Sequence, residues 1–116
     1  MKFVVLVAIV PEEREEEAVK TAKESGAGAV TIIRGRNLGL KEKKIFFGLT
    51  LEESVSMLLF ILPRKISMRV MKALKEEMDM QSDENSSLAF TIPVSHVAGL
   101  NIEELHKFEN EIKEIL

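Results

Sequence analysis

Val55-Ser56-Met57-Leu58-Leu59-Phe60-Ile61-Leu62-Pro63, residues 55–63, decides the fold, because the chain has already made the same statement once. Residues 3–11 read Phe3-Val4-Val5-Leu6-Val7-Ala8-Ile9-Val10-Pro11. Each stretch is an apolar run of strand length that ends on a proline, and in the second Ser56 is the only polar residue before that proline. Runs of this kind are expected of strands buried on both faces. Proline at the end of such a run is also suited to the first position of a helix.

Helical signals follow both prolines. After Pro11, Glu12, Glu13, Glu15, Glu16 and Glu17 load the first turns, where negative charge is favourable against the helix dipole. Ala18, Val19 and Ala22 form a narrow apolar face, and Gly26 is placed to stop the helix. After Pro63, Ile66, Val70, Leu74 and Met78 recur every four residues on one face. Met71 and Met78 read as core filler. Pro63 lies 52 residues after Pro11, and at that offset Lys20, Lys23 and Glu24 fall on Lys72, Lys75 and Glu76. A further strand is expected after each helix, over Ala29–Arg34 and over Leu88–Val94. Strand, helix, strand, written twice, predicts an α+β ferredoxin-like fold: a duplicated βαβ sandwich with a four-stranded antiparallel sheet and both helices on one face. Two helices cover one side of a sheet only, so self-association is expected to cover the other. Residues 1–100 are expected to form this domain. Residues 101–116 are expected to add a C-terminal helix packed on it or on a neighbouring subunit, with Ile102, Leu105, Phe108, Ile112 and Ile115 at helical spacing.

Composition narrows the function. The 116 residues suit one domain, and the formal net charge of −3 argues against a general nucleic-acid binder. There is no cysteine and hence no disulfide or thiolate chemistry. His96 and His106 are too far apart in sequence for a dedicated zinc site and read as structural or surface residues. No apolar run is long enough to span a membrane, and the N-terminal run lacks a cleavage site, so the protein is expected to be cytoplasmic. No nucleophile–base pair and no metal-ligand spacing stands out, so no enzymatic activity is expected. Consecutive carboxylates point in different directions around a helix, and Glu12–Glu17 are read as a solvated helix start.

The segment joining the halves concentrates what chemistry there is. From Arg34 to Lys44, five cationic residues (Arg34, Arg36, Lys41, Lys43 and Lys44) stand against Glu42 alone, a local balance of +4 on an acidic protein. Gly35, Asn37 and Gly39 alternate through it. Glycine and asparagine tolerate left-handed backbone, and turns built from them can aim successive N–H groups at an anion. The spacing matches neither common phosphate-loop fingerprint. Phe46 and Phe47 lie beside the lysines as candidate partner anchors. A second polar turn, Gln81-Ser82-Asp83-Glu84-Asn85-Ser86-Ser87, precedes the last strand and offers hydroxyls and an amide.

The chain resembles the P-II-type nitrogen regulatory (signal-transduction) proteins. The residues that carry the likeness are Gly28-Ala29-Val30-Thr31-Ile32-Ile33-Arg34-Gly35-Arg36 leading into the long loop, the junction Phe60-Ile61-Leu62-Pro63, and Ala89-Phe90-Thr91-Ile92-Pro93-Val94-Ser95-His96-Val97. The resemblance implies a homotrimer with adenine-nucleotide clefts between subunits and a large loop that docks on a target, such as a membrane transporter or a metabolic enzyme. Carried over by position, Arg34, Gly35, Arg36 and Asn37 match the base of that loop, Leu62 a position whose backbone faces the adenine, and Ser86 and Ser87 part of the loop before the last strand. Lys41, Lys43, Lys44, Phe46 and Phe47 match the partner-binding loop. No cofactor is implied as a requirement; ATP, ADP or AMP is implied as an effector. There are departures. Asn37 replaces the loop's second glycine, there is no tyrosine, Ser82–Ser87 replaces a glycine- and lysine-bearing phosphate loop, and Ala98-Gly99-Leu100 stands where arginines are expected. These point away from tight ATP and 2-oxoglutarate binding and toward a nucleotide with fewer phosphates, or none. A ligand-free trimeric interaction module similar to CutA-like proteins is the alternative. A small acylphosphatase-type enzyme ranks last, because Val10-Pro11-Glu12-Glu13 puts carboxylates where that chemistry needs a phosphate loop.

Overall fold

A computed structural model describes residues 2–37, 45–46, 49–50, 53–83 and 85–100. The expected C-terminal helix, with His106, and the residues Lys41, Lys43, Lys44 and Phe47 lie outside the described residues, as does the side chain of Phe46.

Strand β1 (Phe3–Pro11) runs into a 3-10 turn (Glu12–Arg14) and helix α1 (Glu15–Glu24), followed by strand β2 (Thr31–Asn37). Two short strands, β3 (Ile45–Phe46) and β4 (Leu49–Thr50), pair with each other. The second half then repeats the first as β5 (Glu53–Pro63), α2 (Arg64–Glu77) and β6 (Leu88–Pro93). The main sheet has the order β2-β5-β1-β6, and every pairing in it is antiparallel. Each βαβ unit is therefore split. The partners β1 and β2 of the first unit are parallel with β5 between them, and β5 and β6 of the second are parallel with β1 between them. This is the expected ferredoxin-like arrangement.

Alternation along the strands divides the sheet into two faces. Leu6, Ala8, Val10, Leu58, Phe60 and Leu62 point toward the helices and meet Ala18 and Ala22 of α1 and Ile66, Val70 and Leu74 of α2. Met78 closes this core and Val19 and Met71 pack against it, as their spacing predicts. The opposite face is apolar too. The register sets Val5 beside Ile61 and Ile92, Val7 beside Leu59 and Phe90, and Ile9 beside Met57 and Leu88, with Ile33 beyond Met57 on β2. Ile33, Ile61 and Ile92 remain 49%, 52% and 48% exposed. As expected of two helices, they bury one face of the sheet, and among the described residues none covers the other.

The duplication reaches the helix ends. Pro11 closes β1 before the 3-10 turn, and Pro63 caps α2 directly. Past α1, the Gly26 N–H donates to the Lys23 carbonyl and the Ala27 N–H to the Ala22 carbonyl, with Gly26 at φ 118°. Past α2, the Asp79 N–H donates to the Glu76 carbonyl and the Met80 N–H to the Lys75 carbonyl, with Asp79 at φ 48°. Both are Schellman caps, but the second uses an aspartate where the first uses glycine. Arg14 ties the start of α1 to the end of α2: it pairs with Glu17 at 2.9 Å and donates to the Glu77 carbonyl at 3.1 Å. Left-handed backbone is costly for a residue with a Cβ. Asp79→Gly is therefore expected to raise stability by about 1 kcal/mol, measured by urea unfolding; an unchanged or lower midpoint refutes the comparison of caps.

Candidate functional site

The residues from Arg34 to Asn37 belong to strand, not loop. They pair with β5 in the register Arg34–Ser56, Gly35–Val55, Arg36–Ser54 and Asn37–Glu53. Neither Gly35 nor Asn37 has positive φ, so the turn of alternating N–H groups expected there is not formed at these two positions. Extended backbone alternates its amides to either side, and only one side of this strand faces β5.

Arg34 is on the helix side of the sheet, and what it meets there is acidic. Its Nε and Nη2 donate to the two carboxylate oxygens of Glu15, each at 3.2 Å. Glu12 adds a second, looser ion pair at 3.6 Å. The bidentate contact is the geometry in which guanidinium binds carboxylate best. Glu15 is well placed to hold it: its side chain is only 13% exposed, and it also accepts a 2.6 Å hydrogen bond from the buried Ser56 hydroxyl. The Arg34 contact, then the Ser56 hydroxyl, hold the Glu15 carboxyl below its usual pKa. At the same end of the sheet an open groove of about 510 Å³ is lined by Pro11, Glu12, Glu13, Glu53 and Ser54. The glutamates after β1 are thus more than a solvated helix start, which corrects the sequence reading: Glu12 and Glu15 are committed to Arg34.

The other carried-over residues are dispersed. Leu62 is buried on the core face, six residues along β5 from the Arg34 partner Ser56, or about 20 Å at 3.4 Å per residue. Ser86 and Ser87 precede β6, on the edge of the sheet opposite β2 and three strand spacings away, about 14 Å. Ser86 is exposed and Ser87 buried. The Ser87 N–H donates to Asn85 Oδ1 at 2.8 Å, while Asn85 Nδ2 donates to the Ser87 carbonyl at 2.7 Å. That closed side-chain-to-backbone ring already engages the Ser87 amide. One chain therefore does not gather Arg34–Asn37, Leu62 and Ser86–Ser87 around one point. His96 is exposed, and no cluster of metal-binding side chains occurs among the described residues.

Two residues that matter here escape the sequence reading: Glu15 and Ser56. Ser56 carried a signal, since a lone hydroxyl in an apolar strand needs a partner once buried. Glu15 stands among five similar glutamates and has no local mark.

No protein-family model and no curated sequence matches the chain. Solved structures do. CPII, a nitrogen regulatory PII-like protein from Thiomonas intermedia K12 bound to ADP, AMP and bicarbonate, superimposes with a TM-score of 0.64 at 12% identity, over 86% of this chain and 98% of its own. This chain has the PII-like fold. A PII-like signaling protein from Thermus thermophilus gives 0.60 at 19% identity over 81% of this chain and 87% of its own. A DUF3240 family protein from Shewanella baltica OS155 gives 0.64 at 12% identity, over 87% and 99%. In the PII-like fold of this chain, strand β2 continues past Arg34 into the residues expected to form the loop base.

The Glu15 contacts predict a pH dependence. A carboxyl whose pKa falls on folding contributes stability above its unfolded value and loses it as pH drops through the folded one. Glu15→Gln is expected to melt lower than wild type at neutral pH. The gap should narrow as the pH falls through the carboxylate range and close once Glu15 is protonated in both states. A gap that persists undiminished in acid would contradict the charge-based origin.

Proposed function

We propose that this protein is a PII-like signalling protein: a cytoplasmic homotrimer that senses an adenine nucleotide in clefts between subunits and regulates a target protein through the basic segment after β2. The observation that carries this reading is the likeness to CPII, which spans nearly all of that chain, together with the uncovered apolar sheet face. Three such faces turned inward would bury Ile33, Ile61, Ile92 and Phe90 against one another, and burial of apolar area is the main favourable term in association.

Assembly would also answer the dispersal of the candidate residues. Arg34–Asn37 and Ser86–Ser87 sit on opposite edges of one sheet, so a neighbour's edge is the natural source of the missing half of a cleft. Within it, Arg34, Gly35, Arg36 and Asn37 of one subunit, with Leu62, Ser86 and Ser87, are the proposed nucleotide contacts. Lys41, Lys43, Lys44, Phe46 and Phe47 are the proposed target contacts, with a transporter or a metabolic enzyme as the target. The reading needs no catalytic group, and none is assigned. No described helix is long and apolar enough to cross a membrane, so contact with a membrane transporter would be through protein.

A second reading has its own support. Arg34 is engaged by Glu15 and the Ser87 amide by Asn85, which favours a ligand-free trimer acting purely as an interaction module. Calorimetry separates the two. The sensor binds at least one of ATP, ADP and AMP; silence from all three at millimolar concentration, with the trimer intact, refutes it and leaves the module.

Assembly itself is tested by light scattering on size-exclusion chromatography. Wild type is expected at three times 13.1 kDa, and Ile61→Glu, which sets a charge on the open face without touching the core, is expected to elute as a monomer. A monomeric wild type removes the clefts and the function with them. Lys41, Lys43 and Lys44 changed together to glutamate should abolish capture of the target while leaving nucleotide binding in place.

A further inference from the structure

The groups gathered at the β2 end of the sheet have a consequence for the nucleotide itself. This inference rests on the reading that the chain binds an adenine nucleotide near Arg34. Four carboxylates, Glu12, Glu13, Glu15 and Glu53, border that end, on the groove or on Arg34 directly. Arg34 is held there by two carboxylates: its Nε and Nη2 donate to Glu15, and Glu12 lies at 3.6 Å. A phosphate that approaches Arg34 must displace Glu15 or lie beside it.

Displacement is unfavourable for reasons visible in the packing. Glu15 is the first residue of α1, so its backbone is fixed by the helix. Its side chain is partly buried, and its carboxylate is held independently by the Ser56 hydroxyl at 2.6 Å, a strong charge-assisted contact. Removing Arg34 from it leaves an unpaired negative charge facing an incoming anion. Every phosphate added to the nucleotide brings further negative charge toward the same carboxylates. The penalty therefore rises along the series AMP, ADP, ATP, while the contribution of adenine and ribose stays constant.

We infer that Glu15, buttressed by Ser56 and assisted by Glu12, is a specificity-determining positioning residue: by holding Arg34 it sets the cleft to favour AMP over ATP. Glu15 touches no nucleotide in this scheme. It acts through Arg34, by deciding whether that guanidinium is available to phosphate.

The test is titration calorimetry of the full-length protein with AMP, ADP and ATP, in wild type, Glu15→Gln and Glu12→Gln, at low and at physiological salt. Wild type is expected to bind AMP more tightly than ATP. Glu15→Gln is expected to raise ATP affinity about fivefold, the scale of one exposed charge pair, while AMP affinity changes little. Glu12→Gln, at the exposed end of the same contact and harmless to the core, should move ATP in the same direction by less, so a poorly folded Glu15→Gln does not leave the matter open. Both gains should shrink with salt, as charge effects do and packing effects do not. Measurable binding with the AMP-to-ATP ratio unchanged in both variants overturns the inference and leaves nucleotide sensing intact. Silence of all three proteins toward all three nucleotides overturns the underlying reading instead.

Discussion

The antiparallel pairing of β1 with β5 is the interaction on which the rest of the molecule depends. It runs unbroken from Phe3 against Pro63 to Pro11 against Val55. Each of these strands fills the gap in the other's βαβ unit, so neither half is complete alone. The edge strands hang from this pair: among the described residues, β2 bonds to β5 alone and β6 to β1 alone. Both prolines sit at ends of the ladder where a missing N–H costs least, and both send the chain onto the same face. Fixing two helices on one side leaves the other side of the same two strands bare. A sheet whose outer face carries Val5, Val7, Ile61, Phe90 and Ile92 gains from a partner as directly as its inner face gains from the helices.

The same geometry governs where chemistry can gather. In the order β2-β5-β1-β6, the residues before β6 and those at the end of β2 stand on opposite borders of the sheet, while Leu62 lies at the far end of β5. Nothing among the described residues of the chain closes these distances. What one subunit does bring together is electrostatic: the N-terminal turn of α1 lies against the end of β2, and Glu15 and Arg34 meet over Ser56. Charge on the protein is thus spent first on its own architecture, and any ligand competes with contacts that the fold has already made.

Much of the fold was legible because it rests on short-range periodicity stated twice. Pro63, the four-residue spacing of Ile66, Val70, Leu74 and Met78, and the stop at Gly26 are local signals with local causes, and the structure places each as read, whereas a 3-10 turn separates Pro11 from α1. The continuation of β2 through Gly35, Arg36 and Asn37 was not legible, since these residues look like turn formers. They are extended because Val55, Ser54 and Glu53 offer them a ladder, and a partner strand outweighs intrinsic preference at such positions. The Glu15–Arg34–Ser56 cluster was hidden for a different reason. Its members are 19 and 41 residues apart, and only the pairing of β2 with β5 carries Arg34 and Ser56 side by side beneath α1. The aspartate at the second helix cap was equally silent, its conformation being imposed by the chain's turn toward β6.

The pairing of Asn37 with Glu53 marks the last rung of the sheet on this side, and residues 38–52 leave and return through that rung. Because both anchors are fixed by the ladder, the cost of enclosing what lies between them grows only with the logarithm of its length, about 0.6 kcal/mol for each doubling. Insertions, deletions and wholesale exchanges of this segment can therefore accumulate without disturbing the core. The rung behaves as a socket: what lies between its two anchors can change in length and sequence while the strands stay as they are.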